Sequence, residues 1–303
     1  MSLGVLCAGQ GDQSSAMFDL VPTDGAPAEV LEIAREVLGE DPRRIGPERR
    51  HRNAVAQPLV AAVQLATWAA LRDRLPPARV FAGYSLGELT AHGCAGAVDF
   101  ATAVRLARDR ATAMDAACAE PGGLRAVRGL RRAELEGVCG PRQVEVAIVN
   151  GPDRIVIGGA EADLAACEPA LVARGAKVTP LRVCIASHTS RMRPAVGVFR
   201  AALLAAGLGD PRTPVLAGID GAPVLTRERA IDVLSRQLAE TVAWSSCLEG
   251  LVEMGCSALL ELGPGSGLAR MARDRFPDME VRAVEEFRSL EGVVAWASRA
   301  VSR

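Results

Sequence analysis

Apolar and polar positions fall into blocks whose period switches repeatedly between that of a strand and that of a helix. Residues 3–8 form an apolar run ending in Gly9-Gln10-Gly11, which predicts a strand followed by a loop whose glycines let main-chain N–H groups face a ligand. Helical spacing covers 26–38, and the basic, polar stretch 41–52 then predicts a solvated loop, with phosphate binding as the minor alternative. Gln57-Pro58 opens a helix to about residue 75, with the proline in the first turn, where its missing N–H costs nothing. Pro76-Pro77 ends that helix. A short apolar run, 79–82, leads into Gly83-Tyr84-Ser85-Leu86-Gly87-Glu88 and a helix-forming segment to residue 97. A further amphipathic helix over 99–117 carries Arg105, Arg108 and Arg110.

The pattern changes after residue 122. Strands over 124–130, 144–150, 154–158 and 177–183 enclose helices over 131–138 and 161–174, with Asn150-Gly151-Pro152-Asp153 as a hairpin turn. This βαββαβ order predicts a small ferredoxin-like unit, 123–183, inserted between 1–122 and 184–303 of a larger domain. Downstream, Ser187-His188-Thr189-Ser190 precedes a helix over 193–206 and a short strand near Val215-Leu216. Helices over 230–240 and from Trp244 to Met254 follow, then a strand over 258–262 ending in Gly263-Pro264-Gly265. Alternation of strands and helices outside the insert predicts an α/β fold with a parallel sheet covered on both faces.

A Gly-x-Ser-x-Gly turn between strand and helix strains the central serine and lifts its hydroxyl above the sheet, at the positive end of the helix. The bland alternative is an ordinary strand-helix turn. A serine nucleophile needs a base, and the chain has three histidines. His51 belongs to the polar loop and is expected to face solvent; His92 lies two helical turns beyond Ser85 and points away from it. His188 remains as the partner, the alternative being a loop histidine with its hydrogen bonds already satisfied.

Gly9-Gln10-Gly11, Gln57-Pro58, the Gly83 to Glu88 elbow, Arg110 with Met114, Asn150-Gly151-Pro152, Ser187-His188 and Gly263-Pro264-Gly265 occur in register. In this the chain resembles the malonyl-CoA:acyl-carrier-protein transacylases and polyketide-synthase acyltransferase domains, over about residues 3–275. The resemblance implies an α/β-hydrolase-like large domain with a ferredoxin-like subdomain closing over it. It implies Ser85 as the acylated nucleophile, His188 as its base, and the N–H groups of Gln10 and Leu86 as the oxyanion hole. Arg110 would hold a malonyl carboxylate, with Gln10 and Gln57 also at the substrate. A backbone carbonyl, expected from the loop near Gly263-Pro264, would orient His188. Malonyl-CoA and an acyl carrier protein are the implied partners; no metal or bound cofactor is implied.

Two departures widen the expectation. Tyr84 stands where most of the family has histidine, and Ser187 replaces a phenylalanine common before the catalytic histidine, as in acyltransferases that accept methylmalonyl units. The Gly-Tyr-Ser-Leu-Gly-Glu elbow also resembles the transacylase of malonate decarboxylase systems. A serine esterase or thioesterase shares the elbow, but would have no use for Arg110; a catalytically silent carrier-binding module would not need an intact Ser85 and His188. Arg191 and Arg193 flank the His188 loop and are expected to be solvated.

Composition narrows the field a little further. With 49% hydrophobic residues and a net charge of -1 the chain is a globular protein without a general attraction for nucleic acid. Eight scattered cysteines without a Cys-x-x-Cys pair fit reduced thiols, and no uninterrupted apolar stretch or basic leader points to a membrane, so the protein is expected in the cytoplasm.

Overall fold

The computed structural model of the protein describes residues 2–302. The chain starts with β1 (Ser2–Cys7), α1 (Gly25–Leu38), α2 (Asn53–Leu71), β2 (Ala78–Gly83), α3 (Leu86–Cys94) and α4 (Phe100–Ala116). A second unit follows, made of β3 (Gly122–Arg128), α5 (Arg132–Cys139), β4 (Glu145–Gly151), β5 (Arg154–Ala160), α6 (Glu161–Val172) and β6 (Lys177–Pro180). The chain returns through α7 (Arg193–Ala205), β7 (Val215–Leu216), β8 (Pro223–Val224), α8 (Arg227–Arg236), α9 (Trp244–Glu253) and β9 (Cys256–Glu261), and ends with α10 (Gly267–Arg275), β10 (Glu280–Ala283) and α11 (Leu290–Ser302).

The large sheet has the order β10-β9-β1-β2-β7-β8 and is parallel apart from the short edge strand β8. Period-two alternation makes it two-faced. Leu3, Val5 and Cys7 enter one apolar layer with Trp68, Phe81 and Trp296, while Leu6, Val80 and Ala82 enter the other. Cys7 pairs with Gly83, and Leu6 pairs with both Ala82 and Glu261, so β1, β2 and β9 end level with one another. Their following loops therefore converge at the carboxyl edge, where open parallel sheets place ligands.

α2 is the one described helix long and apolar enough to cross a bilayer, with a mean hydropathy of 1.5, but 78% of that stretch is buried inside the fold. It begins at Asn53, earlier than the sequence pattern predicts, because Val55 and Ala56 donate to the Arg52 carbonyl and continue the buried face upstream. Pro58 consequently lies beyond the first turn. The preceding stretch is not simply solvated: Pro42 and Ile45 are buried, Arg50 donates to Ile45 O at 2.7 Å, and Gln13 donates to Arg50 O at 3.0 Å. His51, expected in solvent, is half-buried, and its Nδ1 has no partner among the described residues.

The second unit folds as the βαββαβ pattern predicts. Its sheet is antiparallel with the order β4-β5-β3-β6. Val127, Leu135, Ile157, Leu164 and Leu171 form a separate apolar core between this sheet and α5 and α6. The segment after α8 attaches to it: Val242 bridges Ile148 in parallel, with Val149 N donating to Val242 O at 2.8 Å and Val242 N to Ala147 O at 2.9 Å.

Candidate active site

Ser85 occupies the turn from β2 into α3 with φ 57° and ψ −113°, backbone angles that a non-glycine residue rarely adopts. Close approach of the chain explains the two glycines. A Cβ on Gly83 would lie 2.1 Å from Gly87 C, and one on Gly87 would lie 2.0 Å from Cys7 O. Tyr84 N donates to Cys7 O at 2.9 Å, locking the elbow onto β1. The N–H groups of Leu86, first residue of α3, and of Gln10 have no protein acceptor among the described residues. Gln10 also carries a buried side-chain oxygen with no partner among the described residues.

His188 approaches from the loop between β6 and α7, also at positive φ (62°), and its N–H is fixed by Leu238 O at 2.8 Å. Its Nε2 lies 2.8 Å from Ser85 Oγ and its Nδ1 lies 2.6 Å from Gln237 O. A carbonyl oxygen only accepts, so the ring proton resides on Nδ1 and Nε2 is left to take the serine proton. Burial, reinforced by the Arg110 charge and opposed by the Gln237 carbonyl, pushes the imidazole pKa down to about 3. The ring is a neutral base at physiological pH.

The orienting carbonyl is thus Gln237 and not one from the Gly263-Pro264 loop. Gly263 O is already taken by Gln64 Nε2 at 2.6 Å, which also donates to Ala8 O at 2.7 Å. That loop is tied to the floor of the site and does not reach the histidine.

Helical spacing decides among the arginines of α4. Arg110 shares the buried face with Ala103, Leu106, Ala107 and Met114 and is 2% exposed, whereas Arg105 and Arg108 pair with Glu36 and Asp109 on the outer face. Its Nη1 donates to Gln57 Oε1 at 2.8 Å; its Nη2 donates to Gln237 Oε1 at 3.1 Å and reaches Ser85 Oγ at 3.3 Å. Burial lowers its pKa to about 10, still fully cationic, with Glu88 acting in the opposite direction. Gln57 is held in turn by Asn53 through Nε2 at 2.7 Å, so it positions the guanidinium from behind.

Two residues at the site, Gln237 and Glu88, escaped the sequence. Gln237 lies in no recognisable motif, yet supplies a main-chain acceptor to His188 and a side-chain acceptor to Arg110. Glu88 belongs to the elbow, and its position in a helix whose residues 86–93 are all buried was the available signal. It accepts from the Gln237 side chain and from Gly218 N at 2.9 Å; burial pushes its pKa up to about 7. Among the remaining candidates, His92 is fully buried, and neither ring nitrogen has a hydrogen-bond partner among the described residues. Arg191 pairs with Glu120 and, at 3.4 Å, with Asp163.

A cleft of about 770 Å³ opens beside these groups, lined by Gln10, Gly11, Tyr84, Arg182 and Gly265. A larger one of about 1240 Å³ lies at the far end of α3, around Trp68, Arg72 and Phe100, and contains none of the reactive side chains. Neither cleft is lined by Ser85, His188 or Arg110, but the smaller one is lined by Gln10 and by Tyr84, the neighbour of Ser85, and so adjoins the reactive groups.

A strained serine on an elbow, a neutral histidine held by a carbonyl, free N–H donors and a buried guanidinium together define a serine acyl-transfer site on an α/β scaffold. Comparison with known proteins agrees: residues 6–290 match the acyl transferase domain model, and the chain belongs to that family. It is 33% identical over 296 residues to the malonyl CoA-acyl carrier protein transacylase of Mycobacterium tuberculosis, covering 93% of this chain and 96% of that protein. With the Escherichia coli protein of the same name it shares 30% over 293 residues, covering 92% and 94%. Among solved structures, the transacylase of Coxiella burnetii superposes with a TM-score of 0.91 at 26% identity, covering 99% of this chain and 98% of that one. A malonyl-transacylase in complex with its type II polyketide acyl-carrier protein gives 0.90 at 29%, covering 97% and 99%.

Proposed function

We propose that this protein transfers a malonyl group from malonyl-CoA to the thiol of an acyl carrier protein through a seryl-enzyme intermediate. One observation carries the choice of acyl group: among the described residues Arg110 is buried beside Ser85 with no carboxylate in ion-pair contact. Burying an unpaired charge is costly, and a substrate that brings its own carboxylate removes that cost while aligning its thioester with the serine.

In the first half-reaction His188 Nε2 takes the Ser85 proton as Oγ attacks the thioester carbon. The developing oxyanion is held by the N–H groups of Gln10 and Leu86, each donor contributing about 3–4 kcal/mol in the transition state. The C–S bond breaks, and the CoA thiolate takes the proton from the imidazolium. In the second half-reaction the carrier thiol gives its proton to His188, its sulfur attacks the malonyl ester, and Ser85 recovers its proton as it leaves. A hydrolase would place an acid behind the histidine; here His188 Nδ1 meets the Gln237 carbonyl, and Glu88 touches only the Gln237 side chain. We place the reaction in the cytoplasm, consistent with eight cysteines that are all unpaired.

Intact mass after brief exposure to malonyl-CoA, methylmalonyl-CoA and acetyl-CoA tests this directly. A malonyl adduct that disappears in Ser85→Ala and passes to carriers of fatty-acid, polyketide or malonate decarboxylase type supports the proposal and names the carrier. Release of free acid without a persistent adduct makes the protein a hydrolase; no consumption of any thioester makes it a binding module.

A further inference from the structure

Gln237 faces three partners at once, and its side-chain amide works only one way round. Oε1 accepts from Arg110 Nη2 at 3.1 Å while Nε2 donates to Glu88 Oε2. Turned over, the amide would set N–H against guanidinium N–H on one side and oxygen against carboxylate on the other. The choice is made by Glu88. Its side chain is fully buried, and Oε2 is anchored independently by Gly218 N at 2.9 Å. Gly218 permits this approach, since a Cβ there would lie 2.6 Å from that oxygen.

The arrangement also separates two demands on Arg110. A carboxylate placed directly against the guanidinium would neutralise it but occupy the donors that an incoming carboxylate needs. Glu88 instead stands one residue further away, across an amide, and leaves Arg110 within reach of Ser85 Oγ.

Building on the malonyl-transfer reading, we propose that Glu88 is a positioning residue for substrate choice: by fixing the Gln237 amide it holds Arg110 in the orientation that prefers an acyl group with a free carboxylate over a neutral one. It acts through Gln237 and touches no reacting atom.

The test compares Ser85 acylation by malonyl-CoA and acetyl-CoA in wild type, Glu88→Gln and Glu88→Met. Glu88→Met removes the acceptor, and the malonyl-to-acetyl ratio of kcat/KM falls about tenfold, the size expected for losing one hydrogen bond to a charged group. The fall comes through a higher KM for malonyl-CoA, with acetyl transfer unchanged. Glu88→Gln keeps an oxygen facing Gly218 N and Gln237 Nε2, and restores the ratio. Where Glu88→Met fails to fold, Glu88→Asp draws the acceptor back by one methylene and gives the same selective loss. An unchanged ratio, equal losses for both acyl groups, or no rescue by Glu88→Gln overturns the inference. Absence of a malonyl adduct on the wild-type protein would instead overturn the reading on which it rests.

Discussion

Ser85 and His188 meet at 2.8 Å across two backbone kinks, each residue held at positive φ, 57° and 62°. Besides these, Gln143 is the only described non-glycine residue with such an angle, so two of three strained positions face each other at the site. Strain of this kind costs about 1–3 kcal/mol per residue and persists where the surroundings over-determine it. Here they do so through the Cys7 and Leu238 carbonyls, which accept from Tyr84 N and His188 N.

Replacing the serine should therefore separate chemistry from stability. Ser85→Ala removes the nucleophile but keeps a Cβ in the left-handed region, whereas Ser85→Gly removes both. Both variants lose acylation, and Ser85→Gly is expected to be more stable than Ser85→Ala by about 1 kcal/mol despite glycine's greater chain entropy. Urea denaturation of the pair measures this, and equal stability would show that the elbow is unstrained.

The depressed imidazole sets the pH profile. His188 works as a base only when neutral, and with a pKa near 3 it stays neutral far below the ordinary histidine range. kcat/KM for malonylation should be flat from about pH 8 to pH 5. A limb near pH 6.5 that persists in Glu88→Gln would mean that the free enzyme carries a solvated, ordinary histidine.

Arg110→Lys should fail to substitute. A lysine keeps the charge but cannot donate to Gln57 and Gln237 while offering parallel N–H groups to a carboxylate. Losing the buried partner of the malonyl carboxylate corresponds to about 3–5 kcal/mol, more than a hundredfold in malonyl transfer. Acetyl transfer, measured in parallel, should be affected far less.

His92 makes an acid-labile contribution to stability. Burial alone pushes its pKa down to about 4 from 6.5. The unfolded chain binds the proton first, so the stability is complete above pH 6.5 and is lost as pH falls toward 4. Buried Glu88 and Glu261, raised to about 7 and about 8, have the opposite sign and lose stability as pH rises through those values. Relative to wild type, His92→Met should thus lower the unfolding free energy at pH 7 against that at pH 5 by about 2 kcal/mol, read from urea titrations of both proteins at both values.

Much of this was legible in the sequence because local rules and the fold agree. The Gly83 to Gly87 elbow and the small βαββαβ unit follow from spacing and motif, whereas Arg110 was singled out from Arg105 and Arg108 only by the family resemblance. The C-terminal β10 and α11 did not, because the short strand Glu280–Ala283 alternates charged and apolar residues too briefly to show a period. The orienter of His188 was misplaced for a different reason. A main-chain carbonyl leaves no residue-type signature, so nothing distinguishes Gln237 from its neighbours until Leu238, Thr241 and Val242 are seen docked on β4 and the His188 loop.

That docking bears on chimera construction. A hybrid made by exchanging the small unit at its chain boundaries would import a new β4 and leave the native 238–242 segment opposite a foreign edge. Val242 would lose its register with Ile148, and the shift would pass through five residues of backbone to the Gln237 carbonyl. Module swaps intended to change carrier choice therefore need a third, discontinuous piece, the 237–243 segment, transplanted with the unit it is laced to.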